Sequence, residues 1–238
     1  MRKQSKQRRT AIYILALVTA FFGAKSAPAR ESSPVIHILV FGDSLSAGLM
    51  LKPAQAWPSL LVPKFRQAGL EAEIRNVSKS GDTTVGGLER IDRRLSAKMD
   101  IFVLELGIND VFRATPVAQI QANLQQIIDR VKRAHPNVRL VICGMKWPGP
   151  APDLYVEQFG QMYRDLAVKN HAALVPFLLE GVIGNQALNL PDGFHPNAAG
   201  HEILAENVWR VLEPVAREVA ANVSSPSSQT ASEASKPH

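Results

Sequence analysis

The amino-acid sequence predicts an α/β protein: a three-layer α/β/α sandwich built on about five parallel strands. Between about residues 34 and 218, short β-branched apolar runs alternate with longer segments of helical period. Several of these runs are apolar on both faces, as a strand covered by helices on each side must be. With 238 residues, 46% of them hydrophobic and 20% charged, the chain is long and apolar enough for one domain with a full core.

The strand candidates in order are "IHILVF" (36–41), "AEIRNV" (72–77), "IFVLEL" (101–106), "VRLVICGM" (138–145) and "ALVPF" (173–177). The clearest helix is 116–134. Thr115 is the expected N-cap, Pro116 suits the first turn, and Val117, Ile120, Leu124, Ile127, Ile128 and Val131 recur on one face. Strand followed by helix, repeated about five times, implies parallel pairing through right-handed crossovers.

The two ends of the chain read differently. "MRKQSKQRRT" is basic, "AIYILALVTAFFG" is apolar, and "AKSAPA" carries small residues at Ala27 and Ala29, the order of a signal peptide over residues 1–29. An uncleaved membrane anchor is the alternative, but thirteen apolar residues are short for a span needing about 20. Arg8-Arg9 also fits a twin-arginine signal. A periplasmic or secreted protein is expected, with no stable membrane insertion after cleavage. The six Lys and Arg of this segment, with no acid among them, account for the whole formal charge of +6. A nucleic-acid partner therefore loses its electrostatic basis. Cys143 is the single cysteine, so no internal disulfide is available. Residues 222–238, rich in Ser, Ala and Pro, read as a disordered tail after a domain of 34–218.

In parallel sheets, ligands bind beyond the carboxyl ends of the strands. "GDSLSAG", "SKSGDTT", "GIND", "MKWPGP" and "LPDGFHPN" all fall at that rim. A serine hydroxyl there is a weak nucleophile until a base takes its proton, so Ser44 needs a histidine. His37 lies within a strand, His135 and His171 fall at the opposite end, and His238 is in the tail. His201 belongs to the last helix with no acid at useful spacing. His195 has Asp192 three residues before it, near enough to hold the imidazole tautomer that leaves Nε2 free. Three donors can face a developing oxyanion: the Ser44 N–H, the Gly81 N–H and the Asn109 amide. Asp43 is expected to fix the turn through backbone N–H bonds.

Gly42-Asp43-Ser44-Leu45, Gly81, Gly107-x-Asn109-Asp110 and Asp192-x-x-His195 resemble, in order and spacing, the four blocks of the SGNH hydrolases, the GDSL lipase and esterase superfamily. The likeness is to its exported arylesterases and multifunctional thioesterase/lysophospholipases of Gram-negative bacteria. It implies a flavodoxin-like fold, Ser44, His195 and Asp192 as a triad, Ser44, Gly81 and Asn109 as the oxyanion hole, and a small-molecule ester as substrate. Neither metal nor cofactor is implied. Ile108 stands where thioesterase-type relatives often have a second Gly, which stiffens the loop; Ile108 and Trp147 are the candidate substrate-binding residues. Trp147, with Met145, Phe112 and Leu49, suits either the wall of an acyl pocket or packing on its neighbours.

Two other readings use the same residues differently. A carbohydrate O-acetyl esterase would employ the same triad in a more open, polar cleft. A non-catalytic flavodoxin-like module would hold an anion on "GDSLSAG", but would have no use for Asp192-x-x-His195. The sequence lacks a second histidine after "HEILAE", a phosphate-binding G-x-x-x-x-G-K-[ST] loop and a G-x-S-x-G elbow. An imidazole acting as base must be neutral, so the hydrolytic rate is expected to climb across about pH 6 to 7.5. A flat pH–rate profile would count against a histidine base.

Overall fold

A computed structural model describes residues 34–147 and 149–224. The expected signal segment, and the tail from residue 225 onward, lie outside the described residues. Five strands form one sheet: β1 (Val35–Gly42), β2 (Glu71–Asn76), β3 (Ile101–Glu105), β4 (Arg139–Cys143) and β5 (Ala173–Val175). Their order is β2-β1-β3-β4-β5 and every pairing is parallel. The central strand β3 is buried along its whole length, whereas β2, an edge strand, alternates between exposed and half-buried positions. That difference explains why "IFVLE" is apolar throughout and "EAEIRN" is not.

Helices cover both faces. On one side, α2 (Trp57–Gln67) packs against the long terminal α7 (Ala198–Ser224), with Phe65 and Trp209 meeting edge to face at 4.9 Å. On the other, α3 (Thr84–Arg90), α5 (Val117–Ala134) and α6 (Asp153–Asn170) pack in succession. The apolar stripe read from the sequence is the buried stripe of α5: Val117, Ile120, Leu124, Ile127, Ile128 and Val131. Thr115 does not cap this helix; Pro116 takes the cap position, and Thr115 instead donates its N–H to the Asp110 carbonyl. The helix α7 continues through Ser224, past the residue at which the domain was expected to end. Among the described residues, no helix is long and apolar enough to cross a membrane.

Strand β1 ends where the site begins. Gly42 pairs with Glu105 across the ladder, and a Cβ at position 42 would lie 2.5 Å from Glu105 Oε2, 2.8 Å from the Glu105 carbonyl and 2.8 Å from Ser46 Oγ. Two of those three neighbours are held by buried hydrogen bonds and one is backbone, so none can yield freely. Gly42→Ala is expected to destabilise the protein by about 1–3 kcal/mol, measured as a lowered urea midpoint with unchanged slope.

Candidate active site

Ser44 opens the single-turn helix α1 (Ser44–Ala47) directly beyond β1. Asp43 caps that turn by accepting the Leu45 N–H on Oδ1 at 3.0 Å, the use expected of it. The serine is only 5% exposed, yet its Oγ lies 2.9 Å from His195 Nε2. His195 Nδ1 in turn lies 2.7 Å from Asp192 Oδ2. A carboxylate acceptor at Nδ1 assigns the ring proton there and leaves Nε2 free to accept a hydrogen bond from the serine hydroxyl. The other oxygen of Asp192 accepts the N–H groups of both Phe194 and His195 at 2.9 Å, so one carboxylate shapes the loop and orients the ring. Against a desolvation penalty, these two N–H groups and the imidazole hold Asp192 below the usual carboxylate range.

Gly81 lies in the loop after β2 with φ +74°, a conformation open to glycine, and no side chain stands where its Cβ would be. Neither its N–H nor that of Ser44 donates to an acceptor among the described residues. Asn109, in the short helix α4 (Ile108–Val111), donates both amide protons: to the Asp82 carbonyl at 2.9 Å and to Asp43 Oδ2 at 3.1 Å. Its neighbour Asp110 accepts the Thr84 N–H at 2.8 Å and the Thr84 hydroxyl at 2.6 Å, tying α4 to the start of α3.

Of the expected wall residues, Ile108 is 2% exposed and packs in the core, as does Met145. Neither presents an exposed surface at the rim. Trp147 meets Phe112 edge to face at 4.9 Å, Phe112 meets Phe194 at 5.6 Å, and Phe194 meets the His195 ring at 5.3 Å. Phe112 is 59% exposed. These rings form an apolar wall that runs up to the imidazole; Phe194 was missed in the sequence, although it directly precedes His195.

Two further carboxyl groups lie beneath the serine turn. Glu105, at the end of β3, accepts the Asp43 N–H at 3.1 Å and the Ser46 hydroxyl at 2.7 Å on Oε2, and its Oε1 has no partner among the described residues. Burial pushes Glu105 well above the ordinary carboxyl range, and the charge of Asp43 adds to the shift. Burial likewise raises Asp43 to about 7, opposed by the Leu45 N–H. An acid alone in the apolar run "IFVLEL" was the available sequence signal, and it went unread.

The other described histidines fall where expected; His238 lies outside the described residues. His201, buried in α7, accepts the Trp57 N–H on Nδ1 at 3.1 Å; burial, with His195 nearby, lowers it to about 4. His135 and His171 line a cavity of ≈ 900 Å³ that also includes Met99 and Arg139 and contains no residue of the Ser44 rim. Among the described residues, no three of His, Cys, Asp and Glu are grouped so as to hold a metal ion.

A parallel α/β sandwich carrying hydroxyl, imidazole and carboxylate in hydrogen-bonded series at the carboxyl rim is a serine hydrolase. The chain belongs, more particularly, to the GDSL-like Lipase/Acylhydrolase family, whose model matches residues 40–203. It is 38% identical over 179 residues to "Esterase TesA" of Pseudomonas aeruginosa, covering 75% of this chain and 88% of that protein. It is 35% identical over 202 residues to "Arylesterase" of Vibrio mimicus, covering 84% of this chain and 98% of that protein. Among solved structures, the psychrotrophic esterase EstA from Pseudoalteromonas sp., inhibited by monoethylphosphonate, superposes with TM-score 0.70 at 26% identity, covering 75% of this chain and 97% of the other.

The two buried acids generate a pH prediction. Each has a folded-state pKa raised above its unfolded value, so the stability each contributes is complete below the ordinary carboxyl pKa and is lost as pH rises through its folded pKa. Unfolding free energy is therefore expected to fall from about pH 4 to beyond pH 7. Glu105→Gln should flatten much of that decline, as read from urea titrations at stepped pH.

Proposed function

We propose that this chain is an exported serine esterase that hydrolyses small carboxylic esters, with aryl and short acyl esters as the favoured substrates and thioesters or lysophospholipids within the same chemistry. The observation that carries this reading is the unbroken series from Ser44 Oγ through His195 to Asp192, beside two N–H groups with no acceptor among the described residues.

In the proposed cycle, His195 Nε2 takes the Ser44 proton as Oγ attacks the acyl carbonyl. Negative charge developing on the carbonyl oxygen is received by the Ser44 and Gly81 N–H groups. Asn109 turns one amide proton to the same oxygen, releasing Asp43, the longer of its two bonds. Losing one such donor typically costs about 2.7–4 kcal/mol of barrier, so preformed donors are a large part of the rate. Protonated His195 then passes its proton to the leaving alcohol, and water repeats the sequence in reverse to free the acid. The cycle needs neither metal nor cofactor.

Aryl and acyl groups are favoured because the exposed Phe112, with Trp147 and Phe194, offers an apolar surface at the imidazole. The names "Esterase" and "Arylesterase" borne by relatives at 38% and 35% identity support the same class. Export rests on the basic, apolar and small-residue order of residues 1–29.

Ser44→Ala is expected to lower turnover of short p-nitrophenyl esters by at least about 10³-fold while leaving cooperative thermal unfolding intact. Turnover retained in that variant would remove Ser44 from the reaction. A series of acyl chain lengths with acetylated sugars included would then set the substrate class, aryl esters being expected to lead.

A further inference from the structure

The two backbone oxyanion donors of the proposed reaction come from two separate loops. Ser44 follows β1, and Gly81 lies between β2 and α3. No hydrogen bond runs directly from one donor residue to the other; their loops are joined by the Lys79 N–H on the Gly42 carbonyl at 3.0 Å and by Asn109, which donates to both Asp43 and Asp82. One guanidinium touches both loops. Arg90, in the last turn of α3, donates from Nε to Asp82 Oδ2 at 2.6 Å, from Nη1 to the Val77 carbonyl at 2.7 Å, and from Nη2 to the Gly42 carbonyl at 3.1 Å. Its Cζ lies 3.7 Å from the centre of the Phe41 ring.

Each acceptor sits next to the machinery. Gly42 precedes Asp43 and Ser44; Asp82 follows Gly81, and the Asp82 carbonyl accepts from Asn109. Val77 is where β2 gives way to the Gly81 loop. The side chains of Arg90 and Asp82 are only 14% and 3% exposed, so solvent does little to weaken the pair. Asp82 is wedged against α3 so closely that a Cβ at Gly86 would lie 2.3 Å from its Oδ1.

We propose that Arg90 is a positioning residue for the oxyanion hole: its planar fork, spanning Gly42, Val77 and Asp82, sets the separation between the Ser44 N–H and the Gly81 N–H. A planar guanidinium can satisfy three acceptors in fixed directions at once, whereas an ammonium is a point charge with no such fork. Lysine at position 90 would keep the charge opposite Asp82 and lose the registration of the two loops. Interactions with the oxyanion exist only in the transition state, so their misalignment lowers kcat and leaves KM in place.

This inference rests on the esterase reading, and the test separates the two. The full chain, Ser44→Ala, Arg90→Lys, the charge-neutral pair Asp82→Asn with Arg90→Gln, and Arg130→Lys as control are assayed on a short p-nitrophenyl ester. Arg130 likewise pairs with an aspartate, Asp92, and bonds to the Leu88 carbonyl, at a more exposed place away from the donors. Arg90→Lys is expected to lose about 10- to 100-fold in kcat, with KM within about twofold and the acid limb of the pH profile unmoved. Arg130→Lys should match wild type. If Arg90→Lys does not fold, the neutral pair, which leaves no buried charge uncompensated, gives the same reading. A folded Arg90 variant with wild-type kcat, or one whose loss lies in KM, overturns the proposal while leaving the esterase intact. An inactive wild type, or an active Ser44→Ala, overturns the esterase reading instead.

Discussion

The carboxyl group of Glu105 occupies the space into which a side chain at position 42 would grow, and from there it holds the nucleophile turn on both sides of Ser44. Its Oε2 takes the N–H of Asp43, one residue before the serine, and the hydroxyl of Ser46, two residues after. A glycine at position 42 is thus a consequence of an acid at position 105, and the two meet because β1 and β3 are paired in that register. Burying a carboxyl costs free energy unless it is neutral or well bonded. The structure accepts that cost to define the direction in which one hydroxyl points.

From that point the rim is stitched sideways by polar side chains more than by apolar packing. Asp43 receives Leu45 and Asn109, Asn109 also reaches Asp82, and Asp110 reaches across to Thr84, whose hydroxyl accepts from Asn123 of α5. Since Asp43, Asp82, Thr84, Glu105 and Asp110 are all buried, each link has been taken out of water and would be expensive to leave unmade. The residues of the first three sequence blocks therefore fold as one network, although they come from three different strand ends.

Much of this architecture was legible in the sequence, because strands and helices announce themselves by local period. The buried face of α5 and the five strands follow from apolar spacing alone. Strand ends did not. The run 138–145 pairs only as far as Cys143, and 173–177 only as far as Val175, because Pro176 has no N–H to continue the ladder and the chain crosses to a Gly144–Leu178 bond. The Ser44, Asp192 and His195 geometry was readable because strand-end topology leaves one histidine with a nearby acid. Glu105 showed only as an acid within an apolar run and Arg90 not at all, since their roles lie in contacts 59 and 48 residues away that no local pattern encodes.

The fourth block obeys a different physics. The side chains of Asp192 and His195 are 45% and 21% exposed, and the bonds that hold the carboxylate are local ones within residues 192–195. The loop is closed by the Leu190 N–H on the His195 carbonyl at 2.7 Å and by an antiparallel bridge between Asn189 and Pro196. Such a loop is held to the domain by far fewer buried links than the serine turn. This asymmetry suits the proposed acyl-transfer cycle: donors that receive an oxyanion need fixed positions, whereas a base must accept a proton from serine, release it to an alcohol and then activate a solvent molecule. An edge-to-face series runs from His195 through Phe194 and Phe112 to Trp147. Asp192, on the far side of the ring at Nδ1, is 45% exposed.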